Sequence, residues 1–431
     1  METAAYDLGI FDQVMREYSE FRAPVVPIKG PGANLLGDHF HPILVTLAPG
    51  YWVWPDARTL LLAQAALVAA SVIPISRLAI ARLGYARGAA ISLAYGLSWG
   101  LQGAIAFDFH EVAFAVPLVA FGVVSLAEER WRAAVAWTFP LLLVKEDLGL
   151  VVASVGVYLV FKKRYRLGIG VIVTGVAGLL LILLVLIPAF SWNGKYRYWG
   201  QMSEGGEQNV FQTVLELPAS MIQHPQKLVL ILCLLVVTSF VAIRSPILLV
   251  GLPVVLYRIV STQPPQWSIG EVHYNAILMP IIYVALLDAV RILGAGNREI
   301  SRRVARTAPV FSVVVSLALL PYFSFWRFTD PAFYRTSPHV AAAQRLLAEI
   351  PDGASVAASN YLAAQLTDRC EVTLFADVHH RPVDWVIVDS KRLGGVPAPP
   401  AVQQARLSAL PSEGFKLVRQ DDGIMLFVAD P

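Results

Sequence analysis

Charged residues and cysteine are scarce in this sequence. Charged side chains make up 15% of the 431 residues, whereas a typical soluble domain has about 25%. Hydrophobic residues make up 56%, so the polar groups are too few to cover a water-facing surface of this size, and a wholly soluble protein is excluded. The two cysteines lie apart, Cys233 in an apolar run and Cys370 in a polar region, which excludes a disulfide framework.

Two other features are missing. Residues 1–20 contain neither the basic start nor the apolar core of a signal peptide, so we expect membrane insertion to depend on internal segments. No internal repeat is visible, which disfavours a transporter built from inverted repeats. Membrane lipid is therefore an expected partner, and nucleic acid is not.

Long apolar runs are what the sequence does contain. A helix needs about 20 apolar residues to cross the hydrocarbon core, or fewer inside a bundle. Backbone polar groups in lipid must be satisfied internally, which helices achieve. We therefore predict membrane helices at residues 58–81, 88–106, 112–127, 167–189, 226–243, 246–260, 274–291 and 308–326.

One further apolar stretch, residues 132–161, is interrupted by Lys145, Glu146 and Asp147. Basic clusters flank both ends, so we expect this stretch to enter the membrane and return. Each arm has about 13 residues, or roughly 20 Å of helix, which places the charged tip inside the protein. Charges at that depth are functional more often than structural. The prediction is an all-α polytopic bundle of about ten membrane segments with one short, re-entrant-like hairpin.

Arginine and lysine are concentrated in alternate loops, which the positive-inside rule assigns to the cytoplasm. These loops contain Arg77, Arg82, Arg87, Arg130, Arg132, Lys162, Lys163, Arg164, Arg166, Arg244, Arg291, Arg298, Arg302, Arg303 and Arg306. The eight histidines all fall on the opposite side, which we expect to be extracytoplasmic.

The hydrophobic pattern of the last hundred residues differs and is typical of short strands and amphipathic helices. We predict strands at 355–359, 371–375, 384–389, 415–420 and 423–428, and helices at 338–349 and 400–409. Three regions follow: a first extracytoplasmic region (1–57), a transmembrane domain (58–326) and a small extracytoplasmic α/β domain (327–431).

Ionisable residues gather in short motifs of the extracytoplasmic loops. They are Asp7 and Asp12 in YDLGIFDQ; Asp38, His39 and His41 in GDHFHP; Asp108, His110 and Glu111 in FDFHE; Lys145, Glu146 and Asp147 at the hairpin tip; Lys195 and Arg197 in SWNGKYRYWG; and His273 in GEVHYN. Such groups can act as a general base, bind a divalent metal or orient a hydroxyl. No cofactor is assigned; a divalent metal would have Asp7, His39 and His41 as candidate ligands. The alternative interpretation is that some of these acids only cap helices.

The motifs YDLGIFDQ, GDHFHPILVTLAPGYW, FDFHEVAFAVPL, LLLVKEDLGL and HYNAILMPII resemble a prokaryotic family of predicted polytopic membrane proteins of unknown function. That family is similar to the GT-C superfamily of glycosyltransferases. The resemblance covers roughly residues 5–330, with a similar α/β tail. It implies an enzyme that takes a sugar from a polyprenyl-phosphate carrier and passes it to an acceptor outside the cytoplasmic membrane.

The resemblance also implies an essential acid in the first outer loop, which here would be Asp7, with Asp12 second. The GT-C pattern places a membrane helix before that loop, whereas only METAA precedes Tyr6 here, so either the start is misplaced or this helix is missing. In this hypothesis Asp7 is the base, Lys145 contacts phosphate, and Lys195 and Arg197 are secondary phosphate contacts. Asp12 or Asp38 would position the acceptor or a metal. Glu146 and Asp147 would hold Lys145 or bind sugar hydroxyls, and the residues that would line the cavity are His39, His41, His110 and Glu111.

Two other functions stay open. A transporter or flippase of a lipid-linked or small polar solute would also place ionisable residues in a cavity. A non-catalytic envelope assembly protein would use its α/β tail to bind a partner.

Overall fold

The computed structural model describes residues 3–196, 210–270, 272–377 and 382–430. Most of the described chain is helical, and a single five-stranded sheet lies near the C-terminus. The α-helices are α1 (Ile10–Ser19), α2 (Ala48–Val53), α3 (Ala57–Leu83), α4 (Tyr85–Gly96), α5 (Trp99–Ala106), α6 (Val112–Ala127), α7 (Trp131–Thr138), α8 (Gly149–Phe161), α9 (Tyr165–Leu181), α10 (Ile187–Phe190), α11 (Val210–Gln223), α12 (Gln226–Val236), α13 (Leu252–Val260), α14 (Pro264–Trp267), α15 (Leu278–Gly294), α16 (Glu299–Leu319), α17 (Pro338–Leu347), α18 (Asn360–Ala363) and α19 (Pro400–Ala409).

Shorter helical turns of other types connect many of these helices. Two have π geometry, at Ala5–Gly9 and Ile182–Leu186. The 3₁₀ turns lie at Pro27–Lys29, Leu35–Gly37, Pro42–Leu47, Phe139–Leu143, Glu146–Leu148, Val241–Arg244, Pro246–Val250, His273–Asn275, Leu320–Tyr322, Ser324–Thr329, Pro331–Tyr334 and Leu410–Glu413.

Four helical stretches of the described chain are long and apolar enough to cross a membrane. They are Ala57–Leu83, Tyr165–Phe190, His273–Gly294 and Glu299–Tyr322. A fifth crossing would need Glu216–Gln223 and Gln226–Val236, which meet at a bend of 88°, to act as one span. The protein is therefore a multi-pass membrane protein, but the prediction of about ten membrane segments is wrong.

Breaks in the backbone explain the lower number. The predicted span 88–106 divides into α4 and α5, and the predicted span 246–260 begins as a 3₁₀ turn. The predicted span 112–127 is helical throughout as α6, yet 16 residues extend only about 24 Å, less than the roughly 30 Å hydrocarbon core. Hydropathy finds apolar runs, but it does not show where the helix within a run is interrupted.

The central helices are α6 and α15, whose residues are mostly buried, while α9 and α16 lie at the periphery. Next to them, α8 and α9 form a tight hairpin through facing glycines. A Cβ at Gly156 would come within 2.6 Å of the Gly168 carbonyl oxygen, so only glycine permits this approach. Residues 131–161 form the two arms predicted around the charged tip, α7 with its 3₁₀ extension and then α8.

The C-terminal sheet has the strand order β2-β1-β3-β5-β4. Its strands are β1 (Ser355–Ala358), β2 (Glu371–Leu374), β3 (Trp385–Asp389), β4 (Phe415–Asp421) and β5 (Ile424–Ala429). β1 pairs in parallel with β2 and β3, whereas β5 pairs antiparallel with β3 and β4. All five predicted strands, and the two predicted helices as α17 and α19, are confirmed.

The N-terminal residues contact this sheet as well as the membrane helices. Gln13 Nε2 donates to the Val372 carbonyl at 3.1 Å, and the Tyr6 amide donates to Asn360 Oδ1 at 3.2 Å. Residues 5–19 therefore lie between the helical bundle and the sheet, and their position depends on both.

Candidate functional site

The charged hairpin tip points into the bundle towards the start of α6. Lys145 is extended between two 3₁₀ turns, and its Nζ lies 2.8 Å from Glu111 Oε1. Glu111 is 1% exposed and is the N-cap residue of α6, where the helix dipole favours a negative charge. The structure thus brings together two predicted site residues that are 34 positions apart as a buried ion pair.

His110 extends this pair towards the N-terminus. Its Nδ1 lies 2.7 Å from Glu111 Oε2 and its Nε2 lies 3.4 Å from Asp7 Oδ1. Burial would lower the pKa of His110, but the carboxylates of Glu111 and Asp7 outweigh burial and raise this pKa to about 9. His110 is therefore a cation at neutral pH, and the side chains Asp7, His110, Glu111 and Lys145 form a row of alternating charge, here called the charge row.

Aromatic rings hold the His110 imidazole in place. The His273 ring stacks on it with centroids 3.7 Å apart and an angle of 22° between the ring planes. Phe11 meets it edge-on at 5.3 Å. Because Phe11 belongs to the first region and His273 precedes α15, three separate predicted motifs converge on one imidazole.

Glu146 gathers a second group of predicted residues. Its Oε1 lies 2.6 Å from His39 Nδ1 and accepts a hydrogen bond from the Tyr196 hydroxyl at 3.1 Å. Its Oε2 accepts from the Phe40 amide at 3.3 Å. The GDHFHP motif and the hairpin tip are therefore in direct contact.

A cavity of about 200 Å³ opens beside the tip. Its polar lining includes His39, Lys145, Glu146, Asp147, Tyr196, Tyr257, Arg258, Ser261, Gln263, Gln266 and Tyr274. The predicted tip thus lies in the cavity wall, where cations, carboxylates and tyrosines face the same space. An arrangement of this kind can hold a phosphate and neighbouring hydroxyl groups.

Arg258, which is 1% exposed, is not among the site residues predicted from sequence. Its guanidinium donates to Gln266 O at 2.5 Å, to Tyr274 O at 3.3 Å and to Asn275 Oδ1 at 2.8 Å. The signal was present as a single arginine in the apolar segment LPVVLYRIV, because an ionisable residue within a membrane segment is functional by default.

Asp12 and His41 are buried away from the cavity lining. Asp12 Oδ1 accepts from the Tyr51 hydroxyl at 2.6 Å, and burial raises the pKa of Asp12 to about 6 although this hydrogen bond opposes the shift. His41 packs edge-on against Phe11 at 5.8 Å, and burial lowers its pKa to about 4. Both residues sit in the packing around the site, and neither lines the cavity.

Asp38 and Asp108 also have local partners. Asp38 Oδ2 lies 2.7 Å from Lys29 Nζ, and Asp108 Oδ2 accepts from the Ala4 amide at 2.5 Å. Burial raises the pKa of Asp108 to about 7. Asp108 therefore anchors the first residues next to the charge row.

The remaining predicted residues are placed less centrally. Lys195 lies in an exposed loop where its amide donates to Asn193 Oδ1 at 3.1 Å, and Arg197 lies outside the described residues. Within the part of the chain that the structure describes, no three His, Cys, Asp or Glu side chains are arranged to hold a metal. Asp7, His39 and His41 thus do not form a metal-binding group.

This fold and site define a multi-pass membrane protein with a fold similar to that of GT-C glycosyltransferases, as predicted. Two crystal structures of ArnT from Cupriavidus metallidurans, one bound to undecaprenyl phosphate and one in the apo state, each align with a TM-score of 0.56. Each alignment covers 100% of this chain and 95% of the ArnT chain at 12% sequence identity. At that identity the likeness concerns the fold alone.

The sequence matches the family described as "Predicted membrane protein (DUF2079)" over residues 1–426. The chain belongs to this family. No curated protein matches the sequence.

Proposed function

We propose that this protein is a membrane glycosyltransferase that moves a sugar from a polyprenyl-phosphate donor to an acceptor on the extracytoplasmic side. The observation that carries the proposal is the charge row, which ends in Lys145 at a cavity that Arg258 also lines. The likeness to ArnT, a protein crystallised with undecaprenyl phosphate, supports a lipid-phosphate donor.

The roles follow from charge and position. Asp7, whose side chain is 28% exposed, takes the proton of the acceptor hydroxyl while the hydroxyl oxygen attacks the anomeric carbon. The bond from that carbon to the phosphate oxygen breaks, and its electron pair leaves with the polyprenyl phosphate. Lys145 and Arg258 stabilise the leaving phosphate, and Glu146, Asp147 and the tyrosines contact sugar hydroxyls.

The charge row gives this arrangement its rigidity. Protonated His110 keeps Asp7 next to a positive charge, and Glu111 balances both His110 and Lys145. Because each member is held by its neighbour, the base and the phosphate-binding cation stay at a fixed separation, and such preorganisation lowers the barrier to transfer.

The orientation is part of the proposal. The positive-inside rule supports placing the charge row, the cavity and the C-terminal sheet outside the cytoplasmic membrane. The division into residues 1–57, 58–326 and 327–431 also belongs to it, with the first region joining the sheet to the membrane helices.

The test is to reconstitute the protein into vesicles, add polyprenyl-phosphate sugars and measure released polyprenyl phosphate. We expect release by the unaltered protein and a loss of about 100-fold or more for Asp7→Asn, which is the scale of a general base. Asp352→Asn is the matched control, because that carboxylate is 83% exposed on the sheet region. Equal release by Asp7→Asn and the control would contradict the assigned base.

The same vesicles separate the alternatives. A transporter or flippase would move labelled lipid-linked sugar across the bilayer without releasing polyprenyl phosphate. Asp7→Asn would not change the amount moved relative to the amount released. An assembly protein would do neither. Either outcome, with the protein folded, would overturn the proposed transfer.

A further inference from the structure

Five arginines surround a second cavity, far from the charge row. The cavity has a volume of about 370 Å³ and is lined by Arg82, Arg87, Arg291, Arg302 and Arg306. The helix α15 begins close after His273 and ends close after Arg291, so its 17 residues separate the two sites by about 25 Å along its axis. We call this cavity the arginine pocket.

The fold builds the pocket from two helix hairpins. Gly84, at φ +78°, reverses the chain between α3 and α4, a conformation that glycine adopts without strain. A Cβ at Gly88 would overlap the Ile80 backbone, so α3 and α4 are in close contact there. Arg82 and Arg87 are thereby held together, and α15 and α16 supply the other three guanidiniums.

Arg82 is the buried member. Its side chain is 15% exposed, and Nη2 donates to the Ala127 carbonyl at 2.7 Å. Its Nη1 is buried without a hydrogen-bond partner among the described residues. The nearest carboxylate oxygen, Oδ1 of Asp288, lies 3.8 Å from that atom. A buried guanidinium N–H without a hydrogen-bond partner is costly, and Arg82 is also one of the five arginines that line the pocket.

Positive charge exceeds negative charge in this region. Asp288 pairs with Arg291 at 3.1 Å, and Glu299 pairs with Arg302 at 3.2 Å while also contacting Arg303. In the described structure Arg87 and Arg306 have no carboxylate within 4 Å, so the five arginines of the pocket exceed the two carboxylates paired with them, Asp288 and Glu299, by three charges. The charge row, by contrast, alternates in sign.

We infer that the arginine pocket binds the phosphate group of a phosphomonoester or phosphodiester, and that an anionic phospholipid headgroup supplies it. Guanidinium groups bind phosphate oxygens in pairs of parallel hydrogen bonds. Apolar residues also belong to the pocket wall, with Leu83 and Val290 among its lining residues, as expected beside acyl chains. Basic pockets between membrane helices bind such headgroups. The inference does not depend on the proposed sugar transfer.

The test measures binding to the purified full chain in a zwitterionic detergent. The thermal unfolding midpoint is titrated with phosphatidylglycerol, with phosphatidylcholine and with inorganic phosphate. A shift with phosphatidylglycerol alone supports a lipid headgroup, and a shift with inorganic phosphate as well supports a phosphate site that a soluble anion can also fill. No shift with either anion would overturn the inference.

Variants locate the site. Arg302→Gln with Arg306→Gln should weaken binding about 30-fold, since each arginine near an anionic headgroup contributes about 1 kcal/mol. Arg87→Gln on the other hairpin should weaken it about fivefold. The control is Arg298→Gln with Arg303→Gln, which removes the same charge from the same end of α16 outside the pocket, and it should change binding less than about threefold. Equal losses of binding in both double variants would mean that the basic surface attracts anions in general. That result would overturn the inference that the pocket is the binding site.

Discussion

The charge row and the C-terminal sheet contain the same kinds of ion pair in opposite surroundings. Glu111 and Lys145 meet with side chains 1% and 12% exposed. Beside the sheet, Arg345 of α17 and Asp421 of β4 meet at 2.6 Å with side chains 59% and 37% exposed. The distances are similar, so the difference between the two regions is the solvent, and that difference determines what each pair contributes.

Exposure to solvent determines how much an ion pair contributes to the free energy of unfolding. An exposed pair contributes up to about 1 kcal/mol, because water already solvates both charges. A buried pair gains little over an apolar core, yet losing one partner costs about 3–5 kcal/mol because the other charge stays buried and unpaired. The buried, balanced charges of the charge row are costly and are consistent with a function that needs them. The ion pairs beside the sheet belong to its solvated surface.

The largest effect is expected at Lys145. Lys145→Met keeps the length and apolar contacts of the side chain but leaves Glu111 Oε1 buried without its cation. We expect a loss of about 3–5 kcal/mol in the free energy of unfolding, measured in detergent by chemical denaturation. Lys416→Met on exposed β4 is the control and should change this free energy by less than about 0.5 kcal/mol. Similar losses in both variants would remove the distinction between the regions.

Asp12 sharpens the comparison because it is buried like Glu111 but pairs with no cation among the described residues. Burial raises its pKa to about 6, above the unfolded value near 3.9, so the folded state takes up a proton more readily. Its contribution is therefore most favourable below about pH 4 and is lost as pH rises to about 6. Two pKa units correspond to about 3 kcal/mol.

Asp12→Asn should abolish that dependence. The difference in unfolding free energy between variant and unaltered protein should change by up to about 3 kcal/mol between pH 4 and pH 6.5, in favour of the variant at the higher pH. Asp352→Asn, at an exposed carboxylate, should follow the unaltered protein throughout. A constant offset for Asp12→Asn would mean that its carboxyl titrates normally.

The two regions also differ in how far sequence predicts their fold. The strands of the sheet follow from local alternation of apolar and polar residues, and β1 and β5 lie where that pattern placed them. In the membrane domain the predicted apolar segments lie at the correct positions, but several of them are not continuous helices. The helix breaks between α4 and α5 near Ser98, and the chain bends by 88° before α12 at Pro225, a residue that disfavours helix before it. Hydropathy alone does not register either interruption.

The site shows the same limit. Motifs predicted that Glu111, Lys145 and Glu146 would lie on one side of the membrane, but not which of them would touch. Asp7 and Asp12 look equivalent in YDLGIFDQ, yet one borders His110 and the other faces Tyr51. That choice depends on how α1 packs between bundle and sheet. Arg258 was missed because an apolar run was treated as a span only.

The smallest effect is expected at His339, a residue of α17 with two acidic neighbours beside the sheet. Its Nε2 lies 2.9 Å from Asp389 Oδ2 and its Nδ1 lies 3.0 Å from Asp422 Oδ2. The hydrogen bond with Asp389 is the main cause that raises the pKa of His339. The protonated imidazole thus stabilises the fold fully below about pH 6.5, the unfolded value, and this contribution is lost as pH rises through the higher folded pKa.

His339→Gln tests whether solvent and salt screen the charge of this exposed histidine. The variant should lose at most about 1 kcal/mol at pH 6, and this loss should fall as pH rises through the folded pKa. The loss at pH 6 should also shrink in 1 M salt, where charges are screened within about 3 Å. Arg345→Gln is the matched control, because arginine stays charged across this range and its small effect should not vary with pH. A loss at pH 6 as large as that of Lys145→Met, and insensitive to salt, would show that exposure does not separate the two regions.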